Sequence, residues 1–132
     1  MSQENANSAR QNLDAFDRRD RVAFLAARDP ACEVVPDERW PEPGVIRGRE
    51  AAWDFYLSVA EALGMDSTDA EIIDAGGDKV VGHRAAQARG QASGARVVFG
   101  YSVVTTFREG KIVREEWFAD RAEALKAAGL SD

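Results

Sequence analysis

The sequence predicts an α+β fold with its helices gathered on one side of an antiparallel sheet, and three observations carry that prediction. Apolar residues recur at helical spacing through much of the first half, then switch to period two from Ser67 onward. The stretch from Arg96 to Asp120, RVVFGYSVVTTFREGKIVREEWFAD, reads as two long strands folded at Arg108-Glu109-Gly110-Lys111. Within its first strand, Val97, Phe99, Tyr101, Val103, Thr105 and Phe107 alternate with Val98, Gly100, Ser102, Val104 and Thr106. Both sets are apolar or β-branched, so both faces are expected to be covered.

In chain order, Ala6, Ala9, Leu13 and Phe16 define an amphipathic helix from about Glu4 to Arg18. Asp20 is positioned to cap a second, shorter helix that carries Val22, Phe24 and Leu25 inward, and Asp29-Pro30 is expected to stop it. Cys32 to Val35 forms a short strand closed by Pro36. Pro36 to Gly48 holds three of the four prolines and reads as a stiff loop. Ala52, Phe55, Tyr56, Val59, Ala60 and Leu63 give a third helix between about Gly48 and Gly64, whose apolar face Trp53 and Leu57 widen. Strands follow at Ala70–Asp74 and Lys79–Arg89, joined by a turn at Ala75–Asp78, and Gly90–Gly94 connects to the long hairpin. A last helix runs from Arg121 to Ala128 and is closed by Gly129.

At 132 residues the chain fits a single domain, 1–132. With 45% hydrophobic and 30% charged residues it has a globular profile. The net charge of −6, with basic residues dispersed, argues against nucleic acid or an anionic membrane as partner. One cysteine and one histidine preclude an internal disulfide and a zinc-type cluster, and no metal or cofactor is expected. A polar start and the lack of a run of about 18 apolar residues suggest a soluble, cytoplasmic protein.

The order of elements resembles the nuclear-transport-factor-2-like superfamily, and within it the SnoaL-like polyketide cyclases. Ala15-Phe-Asp-Arg-Arg-Asp20 ends the first helix, Gly48-Arg49-Glu50-Ala51 leads to a helix with Phe55-Tyr56, and Gly110-Lys111-Ile112 leads to Glu116-Trp117 and Asp120. Ala124-Leu125 and Ala128-Gly129-Leu130 follow, so the resemblance spans nearly the whole chain. It implies a cone-shaped curved antiparallel sheet wrapped around the N-terminal helices, an apolar pocket for a small hydrophobic ligand, and a homodimer through the outer sheet face. That face would carry Val98, Val104, Val113 and Trp117. Isomerases, cyclases, epoxide hydrolases and non-catalytic proteins share the fold, so activity has to be argued from side chains.

Two roles are open to Asp120. By resemblance, an aspartate in the Trp-x-x-Asp context moves a proton beside a carbonyl, which desolvation of the carboxyl favours. Asp120-x-x-Glu123 is equally a capping box for the last helix. Asp37 follows the first strand near the place where ketosteroid isomerases carry their base, although it reads as well as a turn residue. Phe16 falls near the position of the isomerases' oxyanion tyrosine, which makes that activity a poor match. His83 is a candidate pocket base opposite Ser102, Val103 or Val104, and register decides which face it takes.

A two-residue turn at Glu109-Gly110 pairs Tyr101 with Phe118, Val103 with Glu116 and Thr105 with Arg114. Tyr101, Arg114, Glu116 and Asp120 would then share an inner wall with Phe99, Val103, Phe107, Ile112 and Phe118. Trp40, Trp53 and Tyr56 are further candidates to line the pocket or fill the core. The leading expectation is a SnoaL-like protein binding a hydrophobic or polycyclic carbonyl compound. If catalytic, it would act as a cofactor-free cyclase or isomerase through Asp120, with His83 or Tyr101 bonding the developing enolate. The alternatives are epoxide hydrolysis by Arg114, Glu116 and Asp120, or a non-catalytic ligand-binding or dimerisation module.

Overall fold

The computed structural model describes residues 2–38, 40, 44–63, 66–67, 70–89 and 96–130; the side chains of 2, 62–63, 66–67, 85–89 and 96–99 are outside the description. The expected connection at Gly90–Gly94 therefore lies outside the described residues. The elements are α1 (Ser2–Asp17), α2 (Arg21–Ala26), β1 (Arg28–Val35), β2 (Ile46–Arg47), α3 (Arg49–Leu63), β3 (Asp66–Ser67), β4 (Glu71–Asp74), β5 (Lys79–Arg89), β6 (Arg96–Arg108), β7 (Lys111–Phe118) and α4 (Arg121–Ala127).

Seven strands form one sheet in the order β2-β1-β7-β6-β5-β3, with β4 also pairing β5. The order bears out the α+β expectation, with one refinement: β1 runs parallel to β7 while every other pair is antiparallel. Asp29-Pro30 does not separate α2 from the strand as expected; it lies inside β1. Between Arg28 and Glu33 the β1–β7 register shifts, so this proline occupies an irregular stretch where no ladder bond is demanded of it. The loop expected from Pro36 to Gly48 contains the two residues of β2, which pair Glu33 with Arg47 and Val34 with Ile46.

The inner sheet face packs on α1 and α3. Phe16, Phe24, Cys32, Val34, Trp53, Phe55, Tyr56 and Val59 form the main core. Ala6 and Ala9 of α1 pack against a second group of Val80, Phe107 and Ile112. The expectation that all helices lie on one side is corrected by α4. Ala124 and Ala128 bury Val81 and Val104, whose neighbours Val80 and Val103 face inward, so α4 covers the outer face. Val104 is thereby fully buried within one chain and is not part of an open dimer face. No described helix is long and apolar enough to cross a membrane.

Candidate functional site

The hairpin turn forms where the sequence puts it: Glu109 and Gly110 have φ of 52° and 78°, and Arg108 pairs with Lys111. Phe107 then pairs with Ile112, but Thr106 pairs with Arg114, so Val113 is an extra residue in β7. This β-bulge changes the facing of everything beyond it. The expected pairs 101–118, 103–116 and 105–114 are replaced by Ser102 with Phe118, Val103 with Trp117, Val104 with Glu116 and Thr105 with Glu115. Glu115 and Trp117 therefore point into the cone beside Tyr101, Val103 and Thr105. Arg114 and Glu116, expected inside, belong to the outer face, and Trp117, expected on the dimer face, lies inside.

At the floor of the cone the inward Glu115 meets Arg28, whose side chain is fully buried. An Arg28 Nη2 proton donor lies 2.8 Å from Glu115 Oε2, 2.8 Å from Asn12 Oδ1 and 3.2 Å from the Tyr56 hydroxyl. The Tyr56 hydroxyl in turn lies 2.9 Å from each Glu115 oxygen, positioned to donate to one of them. Asn12 is oriented by donating to the Phe24 carbonyl at 3.0 Å. The guanidinium also sits 4.2 Å over the Phe24 ring and 5.1 Å from that of Tyr56. Burial alone would lower the Arg28 pKa, but the charge and hydrogen bond of Glu115, with Tyr56 and Cys32, together outweigh it and the pKa is raised. Burial, reinforced by Glu115, pushes the Tyr56 hydroxyl well above its ordinary value. A carboxylate tied to a buried cation and a phenol is a fixed hydrogen-bond acceptor. The arrangement orients Tyr56 and closes the cone.

Nearer the opening, Tyr101 stacks on Trp117 with ring centroids 5.0 Å apart and planes 8° from parallel. Arg84 of β5 bonds Asp17 at the end of α1, Nη2 to Oδ2, at 2.5 Å. Arg84 also interacts with the Tyr101 hydroxyl, although burial dominates and keeps that phenol's pKa raised. These groups border a cavity of about 370 Å³, which Phe16, Tyr56, Val59 and Trp117 line with aromatic and aliphatic surface. A smaller hollow of about 50 Å³ lies deeper, against Tyr56, Val103 and Glu115. Leu13, Asp17, Arg19 and Ala60 complete the lining of the larger cavity, which therefore mixes charged and apolar surface. No group of three or more His, Cys, Asp or Glu that could hold a metal occurs among the described residues.

The structure brings together Phe16, Tyr56, Tyr101 and Val103 of the expected residues. Trp40 packs on Phe55 at 5.7 Å and borders a separate hollow with Asp37 and Phe118. Trp53 is core, edge-on to Phe16 and Phe24, and lines none of the cavities described. Phe118 lies on the outer side, partly packed against the α4 cluster. Asp37 accepts from the Ala119 N–H at 2.7 Å. The Phe99 side chain is outside the described residues. Arg114 bonds Glu33 at 2.9 Å and lies 3.8 Å from Glu116, while Arg47 reaches the same Glu33, which makes a surface ion-pair row. Asp120 is exposed and caps α4, its Oδ1 accepting from the Ala122 N–H at 2.8 Å. Arg28, Asn12, Arg84 and Glu115 were not singled out by sequence reasoning. For Glu115 alone the pattern Ile112-x-x-Glu115 is a trace, three residues apart where an unbulged strand would require an even step; the other three left none.

His83 pairs with Ser102 across the strands, with Nδ1 2.5 Å from Oγ, on the outer face away from Tyr101. Glu71 lies opposite it on β4, and Arg121 of α4 bonds that Glu71 at 2.7 Å. Burial lowers the His83 pKa, Arg121 lowers it further and Glu71 opposes them. The unfolded chain therefore binds this proton more tightly than the folded one. Stability is full above the unfolded value of about 6.5 and declines as pH falls from there toward the depressed folded value. Scanning calorimetry between pH 7.5 and 5.5 should show the melting temperature falling more in the wild type than in His83→Gln. Equal declines would assign the loss to carboxylates.

The curved sheet wrapped around the N-terminal helices defines the class as a cone-forming α+β domain. Residues 9–115 match the family model of the SnoaL-like domain, and the chain belongs to that family. Bal32a, from a soil-derived mobile gene cassette, superposes with a TM-score of 0.75 at 20% identity over 88% of each chain. TerC, co-crystallised with polyporic acid, gives 0.73 at 23% identity, covering 96% of this chain and 98% of its own. RV0760c from Mycobacterium tuberculosis, in complex with estradiol-17β-hemisuccinate, gives 0.69 at 14% identity over 89% and 95%. At such identities the likeness shows a shared fold. No curated protein sequence matches the chain significantly.

Proposed function

We propose that this chain is a ligand-binding SnoaL-like protein whose cone takes a planar hydrophobic compound through a carbonyl or carboxylate oxygen. The observation that carries the reading is Arg84, nine-tenths buried and beside the Tyr101 hydroxyl, at the wall of a cavity where Phe16, Tyr56 and Trp117 face the charged side chains of Asp17 and Arg19. Flat rings suit the walls of Phe16, Tyr56 and Trp117, and the oxygen suits the Arg84 and Tyr101 donors. Two relatives of the same fold hold compounds of this general kind, polyporic acid and estradiol-17β-hemisuccinate. Asp120, His83 and Tyr101 share no described cavity, and Arg114, Glu116 and Asp120 lie outside the cone, which favours binding over proton transfer or epoxide hydrolysis. Pairing of two copies remains part of the proposal, now through outer surface that α4 leaves uncovered.

Isothermal titration with 2-naphthoate tests the reading. Arg84→Met should weaken binding by about tenfold or more, the worth of a charge-assisted hydrogen bond. Asp120→Asn should lower the melting temperature and leave the affinity unchanged. An Arg84→Met variant that binds 2-naphthoate as tightly as the wild type would overturn the assignment.

A further inference from the structure

Beyond the stacked rings of Tyr101 and Trp117 lies a second hollow, of about 180 Å³. It shares Val59, Tyr101 and Trp117 with the larger cavity, so these three side chains form a common wall. The remaining lining differs in chemistry. The larger cavity has Arg84, Arg19 and Asp17, whereas the second is bordered by Trp40, Phe55, Phe118 and backbone at Gly100. Its one charged residue, Asp37, is engaged by the Ala119 N–H at 2.7 Å. One compartment therefore offers an anchor for an oxygen and the other offers apolar contact with no cation.

Resting on the proposed function, we infer that the second hollow is a subsite for the far ring of the same ligand. The chain would then select rod-shaped two-ring compounds with an oxygen function at one end and an uncharged aromatic or alicyclic ring at the other. Tyr101 and Trp117 are the partition, and both are only partly buried. Displacing one ring of the pair joins the compartments and exchanges an aromatic contact within the protein for one with the ligand. The exchange is near balance, so the added ring's burial against Trp40 and Phe55 decides the outcome. Trp40 is held edge-on to Phe55 at 5.7 Å, which gives the subsite a preformed wall.

The test compares benzoate with biphenyl-4-carboxylate by titration calorimetry on the full chain. In the wild type the longer acid should bind about tenfold tighter or more, from burial of the second ring. In Trp40→Ala that advantage should shrink to about threefold or less while benzoate affinity stays constant. In ¹⁵N-labelled wild-type protein, the Trp40 indole N–H resonance should shift with biphenyl-4-carboxylate and not with benzoate, a readout independent of whether the variant folds. Benzoate binding with no gain from the second ring, or no Trp40 shift, overturns the subsite alone. Failure of both acids to bind overturns the proposed function, and the subsite with it.

Discussion

Replacing Arg28 with Met should lower the unfolding free energy by about 3–5 kcal/mol, because it strands a buried carboxylate. The Glu115 side chain is only 4% exposed, and Arg28 supplies its one cationic partner among the described residues, at 2.8 Å. Without that cation, Glu115 keeps the Tyr56 hydroxyl and a long 3.5 Å approach from the Trp117 indole, too little to replace a hydration shell. Asn12 would also lose the donor to its Oδ1. The double variant Arg28→Met/Glu115→Leu removes both charges at similar volume and should recover much of the loss, since a buried pair rarely exceeds its apolar replacement in stability. Urea unfolding of the wild type, both single variants and the double variant closes the cycle. A single Arg28→Met within about 1 kcal/mol of wild type would mean that the pair contributes little to the folded state.

That pair also marks the boundary of what sequence could reveal. Signals confined to a few residues were legible. Glu109-Gly110 made the hairpin turn, Asp20 accepts from Ala23 as the α2 cap, and Gly129, with φ of 83°, ends α4. So was the apolar periodicity that places Phe16, Tyr56 and Val59 in one core. Facing beyond Val113 was not, because a bulge adds one residue and no charge or glycine announces it. The sequence Arg114-Glu115-Glu116 offers three polar residues to an outer face, and nothing local says which turns inward. The choice is made across the fold, by Arg28 in an irregular part of β1 that pairs with the same strand at Ile112. The same long-range logic hid α4. Its small residues Ala124 and Ala128 allow close docking on Val81 and Val104, but which sheet face they meet depends on the chain's path after Trp117. Cone and cavity were predictable from local pattern plus resemblance, whereas the polar groups inside depend on one inserted residue.

Phe24→Ala should be comparably damaging, at about 3–5 kcal/mol for the truncation of a large buried aromatic. Phe24 has no exposed surface, and its ring lies 5.0 Å from Tyr56, 5.1 Å from Trp53 and 6.2 Å from Phe16. Arg28 sits 4.2 Å over the same ring, so truncation also removes a desolvated cation–π contact worth up to about 2 kcal/mol. Phe24→Leu separates the two contributions: it fills most of the space but presents no π face, and should cost distinctly less than Ala while still costing something. The consequence reaches the cavity. Tyr56 is packed by Phe24 and Phe16 and points its hydroxyl at Glu115, so losing Phe24 frees a ring that lines the larger cavity. Affinity for 2-naphthoate, measured well below the variant's melting temperature, should therefore fall in Phe24→Ala more than in Phe24→Leu. If the two variants differ in stability yet bind alike, Tyr56 keeps its position without Phe24, and the polar network alone orients it.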